Sequence, residues 1–338
     1  MTLIICTSHL YIPTTLSIMN GNYNSFCIYT DRTSIATFFG ALYPGMDVFL
    51  LDRTQDKSLI GHFSIVRAQK KAMRKYFNSK AIHKVIFFHE GYCTEANWLI
   101  KYLWKNNKSE VVYMPVERTF DQTHHWKESY SIKNTIKKLY TFLFWKHWIH
   151  YYKYMNDVYP IMDKSFYKTV HCKEIETDIK SINVLPEIDK KLLPSNIFPY
   201  SGIIWLENTA RVFKIQWNEQ SYCDFIKEAL QRIGLDNVFF KGHPDKAHKY
   251  GEESKLNEIP SFIPGNLLLT RFSCYVGVIS DLMFEAANAG TLTISTIYLF
   301  DMDKRDREML VDYLRNRSKD IKFPKTTDEF IALIRTCI

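Results

Sequence analysis

The chain is predicted to be an α/β protein made of two Rossmann-like domains, and three observations lead there. Short apolar runs alternate with longer amphipathic segments through the first 115 residues, and the same alternation resumes at Gly202. At 338 residues, 46% of them hydrophobic, the chain is long for one domain and rich enough in apolar side chains for two cores. Charged residues make up 24%, with no repeat and no low-complexity tract, which excludes the disordered and solenoid classes.

In the first domain, Leu3–Thr7, Ser25–Tyr29, Val48–Leu51, Lys84–Phe88 and Val111–Met114 read as strands. Between them, Thr33–Leu42, Phe63–Phe77 and Thr94–Trp104 carry apolar residues at helical spacing. Strand and helix in turn imply a parallel sheet covered on both faces. Asn134–Met155 reads as one long helix, rich in Tyr, Phe and Trp and carrying several lysines. It has three readings: packing on the N-terminal domain, lying against a membrane interface, or stacking on sugars or bases. The prolines of Pro194–Pro199 mark a linker. The expected division is 1–195, with an aromatic-basic insert at about 130–160, and 196–338.

In the second domain, Gly202–Leu206, Val238–Lys241, Cys274–Ile279 and Thr291–Thr296 read as strands, and a new unit begins over Phe262–Leu269. Tyr222–Ile233, Leu282–Ala289, Asp303–Arg315 and Thr327–Cys337 read as helices.

The net charge of +8 is spread along the chain instead of gathered in a run. It gives no nucleic-acid footprint and suits an anionic small substrate or an anionic lipid surface. Seven scattered cysteines, none in a C-x-x-C pair, read as free thiols of a reducing, cytoplasmic protein. Met1–Cys6 reads as a first strand, not a signal peptide, and no run of 18 apolar residues predicts a membrane span.

Ligands of open α/β sheets bind beyond the carboxyl ends of the strands. Three sequence blocks fall there. Phe87-Phe88-His89-Glu90-Gly91 ends a strand with a carboxylate suited to act as a general base and a glycine that lets the backbone come close to a substrate. Phe239-Phe240-Lys241-Gly242-His243-Pro244 offers a lysine charge, a histidine able to donate to a leaving phosphate, and a proline that stiffens the exit. Ser280-Asp281 opens a helix, with Ser280 as N-cap; a helix N-terminus with a hydroxyl also binds phosphate, though the charge of Asp281 opposes that unless it points away. Ile263-Pro264-Gly265-Asn266-Leu267 reads as a turn that could contact a base or ribose through its backbone. Each block has a plainer reading, a polar strand end, a turn or a helix cap. Their placement together suggests a pocket for the phosphate of a nucleotide-sugar.

Several chemistries lack their signatures. There is no G-x-G-x-x-G, Walker loop, H-E-x-x-H or G-x-S-x-G, and His124-His125 lacks a third ligand at metal spacing.

These blocks resemble bacterial sialyltransferases of the GT-B type, the lipooligosaccharide sialyltransferases and capsular polysialyltransferases. That group has an acidic-acidic-Gly motif in the first domain, and His-Pro and Ser-Ser/Thr motifs in the second. The counterparts here are His89-Glu90-Gly91, His243-Pro244 and Ser280-Asp281. The likeness covers about a fifth of the chain, mostly Phe239–Pro244 and Phe262–Ala289. It implies two Rossmann-like domains facing across a cleft. It also implies inverting, metal-independent transfer of a sialic acid from a CMP-sugar to a glycan hydroxyl, in surface polysaccharide, lipopolysaccharide or capsule synthesis. The acceptor could be lipid-linked and the enzyme peripheral at the inner face of the membrane. Glu90 would be the base, His243 the partner of the CMP phosphate, and Ser280 a second phosphate ligand. His89 replaces the first acid and Asp281 the second Ser/Thr, which leaves Kdo, legionaminic and pseudaminic acid beside sialic acid as donors. The alternatives are a GT-B transferase using a UDP- or GDP-sugar and a non-catalytic glycan-binding protein of the same fold.

Overall fold

Runs such as Thr2-Leu3-Ile4-Ile5 and Lys84-Val85-Ile86-Phe87 are apolar on both sides of the strand, as a sheet covered on both faces requires. The computed structural model describes residues 1–52, 59–89, 93–116, 127–154, 157–162, 165–176, 185–193, 202–206, 215, 217–234, 238–242, 257–269 and 271–337. The chain divides into two units, Met1–Val184 and Leu185–Ile338. The expected boundary near 195 and the Pro194–Pro199 linker lie outside the described residues.

The first unit runs β1 (Thr2–Ile5), α1 (Ile12–Met19), β2 (Phe26–Thr30), α2 (Thr33–Leu42), β3 (Asp47–Leu50), α3 (Leu59–Asn78), β4 (Lys84–Phe87), α4 (Thr94–Asn107) and β5 (Glu110–Tyr113). It continues with β6 (Lys127–Glu128), α5 (Ile132–Trp145), β7 (Ile149–Tyr154), β8 (Asp157–Met162), α6 (Ser165–Thr169) and β9 (Lys173–Glu174). The main sheet has the order β3-β2-β1-β4-β5-β9, every pair parallel. Alternate strand residues Leu3, Ile5, Val85, Phe87, Val111 and Tyr113 pack with Met73 and Phe77 of α3 and Leu99 and Leu103 of α4. Ile4, Ile28, Ile86 and Val112 take the opposite positions and are also buried. The unit is therefore the Rossmann-like sandwich that the alternation predicts.

Two parts of this unit differ from expectation. α1 is not among the helices read from the sequence; its Pro13 sits at the first turn, where a proline needs no partner for its missing N–H. The long helix expected over Asn134–Met155 is α5 followed by the β7–β8 hairpin, which β6 extends to three antiparallel strands. Lys146 stops the helix in a left-handed conformation, φ 62°, with its N–H on the Phe142 carbonyl at 3.0 Å. Ile149-His150-Tyr151-Tyr152 beyond it favours a strand.

The second unit contains α7 (Leu185–Lys191), β10 (Ile203–Leu206), α8 (Glu219–Ile233), β11 (Val238–Lys241), β12 (Asn257–Ile259), β13 (Cys274–Gly277), α9 (Asp281–Asn288), β14 (Leu292–Ser295), α10 (Lys304–Arg317) and α11 (Thr327–Ile334). Its sheet is β12-β11-β10-β13-β14, again parallel throughout, and is also Rossmann-like. Trp205 of β10 meets Phe225 of α8 and Phe330 of α11, with ring centroids 6.0 and 5.9 Å away. α7 is tied to this unit by Asp189, which pairs with the buried Arg271 at 2.5 Å.

Candidate active site

In each unit the strand order reverses once, between β1 and β4 and between β10 and β13. Connections leaving two such neighbours turn to opposite faces and open a crevice at their carboxyl ends.

At the first reversal, His89 follows β4 by two residues and is 3% exposed. Its Nε2 meets Asn97 Oδ1 of α4 at 2.9 Å. A bond to a carbonyl oxygen places the proton on Nε2 and leaves Nδ1, which has no partner among the described residues, as a buried acceptor. Burial pushes its pKa down to about 4 against the opposing pull of Asn97, so His89 is neutral at pH 7. Its carbonyl accepts from the Tyr167 hydroxyl at 3.0 Å, and Tyr167 stacks on Phe87 at 5.7 Å. Phe88 packs against Tyr11 at 5.3 Å. At the start of α4, Cys93 Sγ donates to Thr7 Oγ1 at 3.4 Å, and Arg32 Nε donates to the Thr7 carbonyl at 2.8 Å. Both ends of the β4–α4 connection are thus anchored beside the end of β1. Glu90 and Gly91, within that connection, lie outside the described residues.

In the second unit, Lys241 closes β11 and is 5% exposed. It was expected to offer its charge to a phosphate. Its ammonium instead donates to the Gly242 carbonyl at 2.7 Å and the Ser261 carbonyl at 2.9 Å. Burial pushes its pKa down to about 7, with Glu258 opposing. Lys241 therefore fastens the Ser261 turn to the end of β11, beside the buried Gly242. His243 and Pro244 lie outside the described residues.

From that turn the chain passes through the buried Pro264 into a short 3-10 helix, Gly265–Leu268. Gly265 lies so close to α9 that an added Cβ would fall 2.8 Å from Leu282 Cδ2. Lys241, Gly242 and Pro264 are thereby linked to Ser280 and Asp281 at one edge of the sheet. Ser280 is the N-cap of α9, half-buried, in an extended conformation, and its hydroxyl caps no helix N–H. Asp281 is turned to Arg317 of α10, 3.1 Å away, whose guanidinium also lies over the Phe284 and Tyr313 rings. The carboxylate charge is balanced away from the N-terminal amides, which stay able to receive an anion.

Asn97, Tyr167 and Arg317 were not singled out from the sequence. Asn97 carried a signal, being an amide among Ala96, Trp98, Leu99 and Ile100 on the buried side of α4. The other two act across the fold and show no local pattern. Among the described residues, no three His, Cys, Asp or Glu side chains are grouped to hold a metal ion.

No protein-family model and no curated protein matches the chain. Among solved structures, an Escherichia coli heptosyltransferase WaaC with ADP-2-deoxy-2-fluoro heptose aligns over 99% of both chains at 14% identity, TM-score 0.44. A sialyltransferase from Photobacterium damsela aligns over 96% of this chain and 81% of its own at 13% identity, TM-score 0.45. Arabidopsis thaliana UGT89C1 complexed with UDP-L-rhamnose aligns over 100% and 89% at 10% identity, TM-score 0.47. Likeness at this level leaves the functional reading to the residues of the chain.

Proposed function

We propose that the chain is a GT-B glycosyltransferase that moves a sialic acid, or a related nonulosonic acid, from a CMP-sugar to a glycan hydroxyl, with inversion and without a metal cofactor. The observation that supports this most is Ser280, whose hydroxyl is not used in capping and stands at the N-terminus of α9, on the strand-order reversal of its unit. A helix N-terminus and one hydroxyl suit a single phosphate, which is what a CMP-sugar carries.

In this reading the phosphate accepts from Ser280 and the first amides of α9, with His243 as its further donor. The acceptor hydroxyl loses its proton to Glu90 and its oxygen bonds to the anomeric carbon. The bond from that carbon to the phosphate oxygen breaks, and CMP leaves with the electron pair. His89, neutral and hydrogen-bonded to Asn97, holds in place the residue that precedes Glu90 in the sequence.

The test is transfer from CMP-sialic acid to an oligosaccharide acceptor, followed by chromatography. Ser280→Ala is expected to lower turnover about 100-fold, the scale of losing one donor to a developing oxyanion. Glu90→Gln is expected to abolish transfer while the protein still binds CMP. Undiminished transfer by Glu90→Gln removes the base assignment, and transfer from UDP- or GDP-sugars alone replaces the donor.

A further inference from the structure

α5 buries one face and exposes another that is apolar. Asn134, Thr141 and Trp145 face inward, and Trp145 joins the core of the first unit. On the opposite side, Ile132, Ile136, Leu139 and Leu143 are 82%, 60%, 49% and 60% exposed. Spaced i, i+4, i+7 and i+11, they fall within an arc of about 60° along a helix of about 21 Å. Tyr130 just before the helix and Trp148 just after it are also exposed. Scattered exposed aliphatic side chains need no explanation, but a continuous stripe along one helix does.

The charge around the stripe is of one sign. From Lys127 to Tyr154 the chain has six lysines and one carboxylate, Glu128. Glu128 is already used, by Lys138 at 2.8 Å, His150 at 3.1 Å and Tyr130 at 2.6 Å. Lys127, Lys133, Lys137, Lys146 and Lys153 are exposed and in no ion pair among the described residues. Lys127 and Lys153 stand opposite each other across β6 and β7.

We propose that this face of α5 lies in the interface of an anionic lipid bilayer, with the aliphatic stripe in the acyl boundary and the lysines at the headgroups. An aliphatic centre, a lysine border and Tyr and Trp at the two ends fit a surface that is apolar inside and negative outside. A nucleic acid would answer the charge and leave the stripe in water. A second copy of the chain would cover the stripe and set lysine against lysine. The inference is independent of the donor or the reaction.

The experiment is co-sedimentation of the full chain with vesicles of phosphatidylcholine alone and of phosphatidylcholine mixed with phosphatidylglycerol. Binding is expected to the mixed vesicles, weakened by salt, with little to the neutral ones. The triple variant Ile136→Gln/Leu139→Gln/Leu143→Gln, altered only at exposed positions, is expected to keep its circular dichroism and bind more than about tenfold more weakly. Lys133→Gln/Lys137→Gln is expected to lose salt-sensitive binding. No binding to the mixed vesicles, or equal binding by the triple variant, overturns the proposal. So does a dimer in analytical ultracentrifugation that the triple variant dissociates, or tight RNA binding without vesicle binding.

Discussion

Gly265→Ala measures how closely the Pro264 turn is fitted to the N-terminus of α9. The glycine has no positive φ, so alanine meets no backbone strain, and its Cβ would stand 2.8 Å from Leu282 Cδ2. Carbon atoms prefer about 3.5–4.0 Å, so the buried Leu282 side chain must retreat by about 1 Å. Overpacking of this kind costs about 1–3 kcal/mol, while replacing glycine recovers about 0.4–1 kcal/mol through the unfolded state. The balance runs from about 0 to 2.6 kcal/mol and centres on a destabilisation of about 1–2 kcal/mol. For a unit the size of Leu185–Ile338 this is a fall in Tm of about 3–6 °C. The assay is thermal unfolding of wild type, Gly265→Ala, Leu282→Val and the double variant, each with and without CMP. The shorter valine relieves the clash, so the double variant should be more stable than the sum of the singles by about 1 kcal/mol. CMP binding should weaken in Gly265→Ala and recover in the double variant, because Leu282 adjoins Ser280 by two residues. A raised Tm in Gly265→Ala, or no coupling with Leu282→Val, would refute the packing and its link to the site.

Acid should loosen the first unit in a defined window. Burial pushes His89 down to about 4 and, aided by Lys101 and Lys70, His147 down to about 3, against about 6.5 in the unfolded chain. The unfolded state therefore binds more protons across this range, so the stability is present above about pH 6.5 and is lost as pH falls through the folded values. At pH 5 each histidine accounts for about 2 kcal/mol. Urea unfolding of His147→Gln should show a loss from pH 7.5 to 5 that is about 2 kcal/mol smaller than in wild type, and an unchanged loss contradicts it. Among the thiols, a hydrogen bond from Cys274 holds Cys337 down at about 6, whereas burial raises Cys6, Cys27 and Cys172 to about 12. Iodoacetamide at pH 7, read by peptide mass spectrometry, should modify Cys337 well ahead of those three; equal rates contradict that assignment.

Parallel strands buried on both faces leave unbroken apolar runs, which is why β1, β2, β4, β10, β11, β13 and β14 were legible. β9 and β12 have two and three residues and join sheets whose other strands lie far off in sequence, so no local pattern marks them. The hairpin after α5 was hidden by a composition that suits a helix stripe and a strand pair equally, with only the left-handed Lys146 to divide them. In the site, the N-cap position of Ser280 was local and legible, but that its hydroxyl makes no cap bond was not. The inward turn of Lys241 depends on Ser261, 20 residues later, and the balance of Asp281 on Arg317, 36 residues later. Such partners are brought by the fold and cannot be read from spacing.

A thermal-shift series with CMP, UDP, GDP and ADP, run on wild type and Ser280→Ala, bears on the donor site itself. CMP should raise the Tm of wild type, by the equivalent of about 2.7 kcal/mol at a hundred times its Kd, and raise that of Ser280→Ala markedly less. A larger shift from UDP, GDP or ADP, or a CMP shift that Ser280→Ala leaves unchanged, would contradict a CMP-sugar phosphate seated at the start of α9.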